Sequence, residues 1–225
     1  MFYEPRNNDH GLKYNPFKSC VIPRPIGWIS TLSPAGVANL APFSQFQNLT
    51  FDPPYVMFSA NQNIDASRKD SVNNAEDTGE FVWNMATWEL REAVNVTAAL
   101  YPSDVDEFEV AQLEKLPSKF VKPPRVKGSP VHFECRYHST LRLPGNGPMG
   151  PAHMVIGEVI GIHIDDDYIM ADGKLDVLRA RPIARIGYHD YTSIESIFTM
   201  EIPGDDPVRK GGMEGRPEDN VRRTG

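Results

Sequence analysis

The segment from Val21 to Asp70 constrains the fold of this chain more than any other segment. Residues 26–32 are rich in apolar and β-branched side chains, and the Ser-Pro-Ala-Gly sequence at 33–36 suits a type I turn. A second strand is predicted to leave this turn. A third, over residues 55–60, follows a Pro-Pro corner that no central strand could contain. Three successive strands with short connections predict an antiparallel barrel or sandwich.

Patterns farther along the chain predict the remaining elements. Apolar and polar residues alternate over several segments, as expected for strands that bury one face. Apolar positions spaced by three and four residues from Leu90 instead predict an amphipathic helix capped by Thr87. The predicted strands are 80–86, 130–143, 153–164 and 181–188, and the predicted helices are 88–100, a short helix capped by Ser103 or Asp104, and 191–200.

A cationic pair stands where another helix is predicted to begin. Asp65 or Ser67 is the predicted cap, which places Arg68 and Lys69 in the first turn. Cations there oppose the helix dipole by roughly 0.3–1 kcal/mol each. A phosphate at the helix start would satisfy both side chains and the free backbone N–H groups. The alternative is that both cations are solvated and that Asp70 offsets them.

The strand predicted at 130–143 raises the question of a metal site. Its polar face carries His132, Glu134 and His138, which are potential ligands. These residues are flanked by an arginine and belong to a polar face spread over ~20 Å of strand, so we predict no metal. Cys135, on the apolar face, is expected to be a core thiol rather than a nucleophile.

Two other segments suggest ligand contacts. The proline-broken region after residue 101 is predicted to cross over the barrel, with Phe108 either in a lid or as the single anchor of a surface helix. The sequence at 145–150 formally matches the dinucleotide fingerprint GxGxxG. It is punctuated by prolines and precedes a strand instead of opening a helix, so we interpret it as a loop.

Composition limits the class of protein. The chain has 225 residues, 40% hydrophobic, which is ordinary for one globular domain, and we predict that domain over 1–202 with a disordered tail over 203–225. The net charge of −7 argues against general binding of nucleic acid or of an anionic membrane. Two cysteines without CxxC spacing indicate neither disulfides nor a thiolate metal site. Without a signal pattern or an apolar span, a cytoplasmic location is expected.

Four motifs together resemble the flavin reductase-like family. They are RPIGWIST, NLAPFSQF, the Asp-Pro-Pro corner and the late Lys-Asp-Ser sequence, and the likeness extends from about residue 11 to about residue 202. The family more often has threonine where this chain has Ser71, and commonly has an aromatic residue where this chain has Gln45. The resemblance implies a mainly β, antiparallel, Greek-key-like split barrel that binds FMN, with two or three peripheral helices, and it implies a homodimer.

The resemblance also implies a set of cofactor-binding residues. In that family, the end of the first strand, the NLA sequence and the start of the helix surround the flavin. Carried to this chain, these positions are Ser30 and Thr31 beside the flavin, Asn39, Leu40 and Ala41 at the isoalloxazine edge, Ser44, Ser59 and Ala60 along the ribityl and phosphate path, and Arg68, Lys69 and Asp70 at the phosphate.

His153 is the catalytic candidate that the resemblance implies. Family members often carry a histidine before an apolar run that ends in Gly-Glu-Val, and here Gly157-Glu158-Val159 is intact. Pro151-Ala152 replaces the Gly-Asp that often precedes the histidine. His153 would orient the nicotinamide or the acceptor over the flavin, or it is simply a histidine at a strand edge.

The implied function is that of an FMN-dependent oxidoreductase that moves hydride from NADH or NADPH to bound flavin and then to an unidentified acceptor, such as a protein or a monooxygenase. Flavin and nicotinamide are the expected small-molecule partners. The alternative is a non-catalytic FMN-binding electron carrier or ligand-binding flavoprotein. A third reading is a split barrel that has lost flavin or binds another cofactor such as haem.

Overall fold

Strands dominate the computed structural model, which describes residues 1–200. The predicted tail at 203–225 lies outside the described residues. The strands are β1 (Arg24–Pro25), β2 (Gly27–Leu32), β3 (Ala38–Phe43), β4 (Phe46–Phe51), β5 (Pro54–Asn61), β6 (Glu80–Met85), β7 (Lys115–Leu116), β8 (Arg125–Val126), β9 (Val131–Leu143), β10 (Ala152–Ile164), β11 (Ile183–Gly187) and β12 (Asp190–Ser193). The helices are α1 (Phe17–Cys20), α2 (Asp70–Thr78), α3 (Arg91–Val96), α4 (Glu107–Val110) and α5 (Val177–Ala180), with a 3-10 helix at Asp166–Tyr168.

The main sheet curls into a barrel. Its seven strands follow the order β3-β2-β6-β9-β10-β5-β4, and every neighbouring pair is antiparallel. The two edge strands, β3 and β4, are consecutive in the chain and are joined only by Ser44 and Gln45. The backbone carbonyl of Gln45 accepts a hydrogen bond of 2.8 Å from the Ser59 N–H on β5. The predicted mainly β barrel is therefore confirmed.

Both faces of the sheet are packed near β2. Ile29 belongs to the core cluster inside the barrel, which also contains Val72 and Ala75 of α2. The neighbouring residue Trp28 belongs to a second cluster on the outer face, covered by the segment that carries α3 and α4. Successive strand residues point to opposite faces, so burial on both sides explains why β2 is almost continuously buried.

Several predicted helix boundaries are wrong. Thr87 does not cap a helix, because its backbone bridges to Pro182, and α3 is shorter than the predicted 88–100. Residues 190–193 form β12, which pairs with β11 after Gly187 turns the chain at φ +112°, so the predicted helix over 191–200 is also wrong. The strand β4 was not predicted, because the side chains after Phe46 are exposed and show no alternation.

The start of α2 also differs from the prediction. The helix begins at Asp70, so Arg68 and Lys69 precede it instead of occupying its first turn. Asp65 accepts hydrogen bonds from the backbone and the hydroxyl of Ser67 in a local turn, and neither residue caps the helix. The two cations therefore do not oppose the helix dipole from within its first turn.

The polar face predicted for β9 is buried at its first two positions, His132 and Glu134, and exposed at Arg136 and His138. Glu134 lies beneath a proline-rich segment, residues 117–124, which we call the strap, and the buried His132 ring contacts the backbone carbonyl of Val126 through Nε2. Cys135 faces the core as predicted, and burial raises the pKa of its thiol. Within residues 1–200, His, Cys, Asp and Glu side chains form no group of three suited to a metal ion.

In the part of the chain that the structure describes, no helix has the length and apolar character needed to cross a membrane.

Candidate functional site

A pocket of about 110 Å³ lies where edge strand β3 meets the start of α2. The segment after α3 and the first residue of α4 close its other side. Most of its polar groups come from elements far apart in sequence, so only the fold brings them together. The lining residues are Asn39, Ala41, Pro42, Phe43, Asn63, Lys69, Asp70, Ser71, Thr97, Ala98, Ala99, Leu100, Tyr101 and Glu107.

Asn39 is the centre of a buried hydrogen-bond network in this pocket. Its Nδ2 donates to Glu107 Oε1 at 2.8 Å, and its Oδ1 accepts from Ser71 Oγ at 2.7 Å. Thr31, the partner of Asn39 across the β2–β3 pair, lies 3.4 Å from the same oxygen through its hydroxyl. An ionised carboxylate only accepts hydrogen bonds, so the amide nitrogen of Asn39 must face Glu107.

Glu107 occupies this position because β3 is an edge strand. The backbone N–H of Leu40 points away from β2 and donates to Glu107 Oε2 at 3.0 Å. The adjacent residue Phe108 is fully buried in the outer core cluster and fixes α4 against the barrel. The lid interpretation of Phe108 is therefore wrong, and its role is that of an anchor.

The pocket contains more acid than base. Burial raises the pKa of Glu107, and it also raises the pKa of Asp70. Burial lowers the pKa of Lys69, whose ammonium donates to Asn63 Oδ1. One cation therefore faces two carboxylates, and this balance favours a neutral hydrogen-bonding group over a phosphate inside the pocket.

Arg68 turns away from Lys69 to a second polar cluster. Its Nη2 lies 2.5 Å from Glu76 Oε2 without the alignment of a hydrogen bond, and no group within residues 1–200 accepts a bond from its buried Nε. His153 is buried nearby, opposite Ala60 in the β5–β10 pair. Burial lowers the pKa of His153, and the positive charges of Arg68 and Arg142 lower it further. The start of α2 thus separates two clusters.

The predicted site residues fall into distinct groups. Asn39, Ala41, Lys69 and Asp70 line the pocket, and Thr31 lies behind it. Ser30 is buried on the opposite face of β2 from Thr31, and Leu40 packs in the outer core. The pocket lining does not include Ser44, Ser59, Ala60, Arg68 or His153.

Sequence reasoning missed Glu107 and Tyr101. Glu107 follows an acidic cap, Asp106, which accepts from the Phe108 N–H at the start of α4. Acidic residues are common in a first helical turn because they favour the helix dipole. The sequence therefore contains no signal that separates Glu107 from an ordinary solvated glutamate.

The barrel and its pocket place the chain among the split-barrel proteins. A chain with a split barrel domain from Shewanella frigidimarina NCIMB 400 superposes with a TM-score of 0.76 at 21% identity, covering 90% of this chain and 100% of that chain. A family model described as "Flavin reductase like domain" matches residues 19–179, so the chain belongs to this family.

Two further similarities agree with this membership. An uncharacterised protein of Aquifex aeolicus (strain VF5) is 37% identical over 187 residues, which cover 83% of this chain and 92% of the relative. The structure of nitrilotriacetate monooxygenase component B from Bacillus cereus has a TM-score of 0.81 at 27% identity, covering 89% of this chain and 98% of that chain.

Proposed function

We propose that the protein is an FMN-dependent oxidoreductase that takes hydride from NADH or NADPH onto bound flavin and passes electrons to an acceptor. The observation that carries the proposal is the pocket at β3 and α2, in which Asn39 is held in one orientation beside Lys69. Membership of the flavin reductase-like family supports the choice of cofactor. The similarity to a monooxygenase component B supports a partner monooxygenase as one class of acceptor.

The residues of the pocket fit part of an FMN molecule. Its volume of about 110 Å³ is below the roughly 300–1,000 Å³ of pockets that enclose a whole ligand. Its hydrogen-bonding groups suit a polar heteroaromatic edge, and its excess of carboxylates disfavours the phosphate. We propose that Asn39, Ala41 and Ser71 hold the ring, and that the phosphate lies outside the pocket near Lys69 and Arg68, whose Nε finds no acceptor among residues 1–200.

FMN, when bound, supplies the hydride-accepting and electron-donating chemistry. The chain's own residues bind and orient the FMN. Glu107 and Ser71 fix the Asn39 amide, and the segment 97–101 covers the pocket from the side opposite β3. His153 remains a proposed catalytic residue. Its buried position beside Arg68 means that it would act at the edge of the second cluster and not inside the pocket.

We propose a homodimer in the cytoplasm. The edge strand β4 supports an association surface, since it exposes Leu49 and Phe51, and an exposed apolar edge strand is normally covered. Light scattering after size exclusion tests the oligomeric state.

The test of function is the visible spectrum of the purified protein with FMN, recorded anaerobically before and after NADH and then NADPH. Rapid bleaching by one donor is the expected result and identifies that donor. Flavin that is bleached by dithionite but by neither nucleotide would instead support the electron carrier. Failure to bind FMN would contradict both functions.

Two variants test the assigned residues within the same assay. Arg68→Ala combined with Lys69→Ala is expected to weaken FMN binding at least tenfold while changing riboflavin binding little, because only FMN carries the phosphate. His153→Gln is expected to slow bleaching by nucleotide without loss of FMN, whereas His189→Gln, at an exposed position, serves as the matched control. Equal effects on FMN and riboflavin would contradict the phosphate assignment.

A further inference from the structure

We propose that Glu107 is a positioning residue of this pocket: it fixes the Asn39 carboxamide so that Asn39 presents one N–H donor to the molecule that binds there. The identification of this molecule as flavin rests on the proposed function above. The orientation of Asn39 does not, because it follows from contacts within the chain.

The side chain of Asn39 is almost fully committed to hydrogen bonds within the chain. A carboxamide has two N–H donors and one oxygen that accepts two bonds. The oxygen is used by Ser71 Oγ and faces Thr31 Oγ1, and one N–H is used by Glu107. The second N–H has no acceptor among residues 1–200, and Asn39 lines the pocket. One donor thus remains for a ligand.

The Glu107 side chain is itself held rigidly. Its two oxygens accept from different groups, Asn39 Nδ2 and the Leu40 N–H, and the side chain is only 5% exposed. Phe108 anchors the same helical turn in the core. The carboxylate is therefore held from two sides, and rotation of the Asn39 amide would place its oxygen against an acceptor-only group.

The fixed Asn39 amide selects the chemistry of its ligand. A fixed N–H donor recognises a carbonyl oxygen or an unprotonated ring nitrogen of the ligand. Flavin has several such acceptors on its polar edge, and a donor aimed at them stabilises negative charge that develops on reduction. Two charged groups face Glu107 across the pocket: Asp70, the first residue of α2, and Lys69, which precedes the helix. Asp106, beside Glu107 in the chain, is paired with Lys115.

The first variant is Glu107→Gln. Glutamine offers one oxygen and one NH2 group to two facing donors, so one donor loses its acceptor and the Asn39 amide is free to rotate. We expect the dissociation constant for FMN to rise about tenfold, as for one lost charge-assisted hydrogen bond. Glu109→Gln, an exposed position in the same helix, is the matched control and should leave the dissociation constant unchanged.

The second variant separates positioning from simple structural support. In Asn39→Asp combined with Glu107→Gln, the donor and acceptor exchange sides: the new carboxylate accepts from Ser71 and from the glutamine amide, whose oxygen accepts from the Leu40 N–H. Total charge is conserved. We expect thermal stability to return close to that of the wild type while FMN affinity remains at least tenfold weaker, because the donor toward the ligand is gone. FMN binding at wild-type affinity would overturn the proposal.

A third measurement distinguishes failure of this proposal from failure of the proposed function. The side-chain amide resonances of Asn39 are recorded without flavin and assigned by their loss in Asn39→Asp. In Glu107→Gln they should shift and broaden, whereas unchanged resonances would overturn the positioning role whether or not FMN binds. A shift in a protein that binds no FMN would leave Glu107 as the positioning residue and reject flavin as the occupant.

Discussion

Two buried glutamates of the barrel have opposite surroundings. Glu107 accepts two hydrogen bonds at the edge of β3, lines a pocket and has a raised pKa, since burial outweighs those bonds. Glu134 on β9 is fully buried, and it accepts from the backbone N–H groups of residues 119, 120 and 121 and from His163 Nε2 at 2.5 Å. Burial also acts against its ionised form, but these four donors outweigh it and lower its pKa.

The difference lies in what covers each carboxylate. The strap donates to Glu134 directly, so a single layer of chain removes the carboxylate from solvent and satisfies it. Glu107 is also buried from solvent, but the other side of its carboxylate faces the pocket. A saturated buried carboxylate fixes a loop, whereas a carboxylate beside a cavity can hold in place the side chain that meets a ligand.

The largest expected effect tests the structural side of this comparison. Glu134→Ala removes the acceptor of three strap amides, and we expect the free energy of unfolding to fall by about 3–5 kcal/mol. Urea denaturation measures the loss. Glu114→Ala removes an exposed ion pair with Lys127 and should cost at most about 1 kcal/mol. Similar losses in the two variants would show that the strap is not held by Glu134.

The next effect concerns His132, which lies on the same face of β9 as Glu134. Burial lowers its pKa to about 4, so the folded protein keeps the ring neutral while the unfolded chain is protonated from about pH 6.5 downward. Stability should therefore fall as pH drops from about 6.5 to about 4, by about 3 kcal/mol in total. In His132→Gln this part of the decline should disappear. A decline of the same size in the variant would assign it to other groups.

A smaller effect compares the two glutamates directly by pH. The pKa of Glu134 is lowered in the folded protein, so the stability that its ionised form contributes is lost as the pH falls. The wild type should therefore lose stability relative to Glu134→Gln on acidification. The pKa of Glu107 is raised, which gives the opposite sign. The wild type should therefore gain stability relative to Glu107→Gln as the pH falls through that raised pKa. The Glu134 difference develops below the ordinary carboxyl pKa of about 4.3 and the Glu107 difference above it, so differences of about 1 kcal/mol measured from pH 7 down to about pH 3 are sufficient for this test. If the two stability differences changed with pH in the same direction, the contrast between Glu134 and Glu107 would be contradicted.

The smallest effect asks whether side-chain packing contributes to the strap. Phe120 is 58% exposed, and only its edge covers Gly161 on β10. Phe120→Ala should therefore change the free energy of unfolding by about 0.5 kcal/mol or less. A loss comparable to that of Glu134→Ala would mean that apolar contact, and not the carboxylate, holds the strap.

Local patterns predicted most of the barrel. The β2–β3 hairpin follows from an apolar strand that ends at a Pro-Gly turn, and its carbonyl at Ser33 accepts from the Gly36 N–H as such a turn requires. The strands β6, β9 and β10 were predicted from the alternation of apolar and polar residues. The predicted start of α2 was wrong because Asp65 and Ser67, which are residue types that often cap helices, instead hydrogen-bond to each other in a turn before the helix. Propensity and alternation are properties of neighbouring residues, so a sequence can reveal them.

The sequence by itself determined the barrel strands other than β4, the turn between β2 and β3 and, through its motifs, the family. Only the tertiary structure decided which polar side chains became partners. Asn39 and Glu107 are 68 residues apart, and Lys119 and Glu134 are 15 apart across a change of element. Arg68 and Lys69 are adjacent in the chain and yet serve different clusters. Hydrogen bonds of this kind depend on distances that exist only after strands pair and helices pack, so residue type and spacing could not identify them.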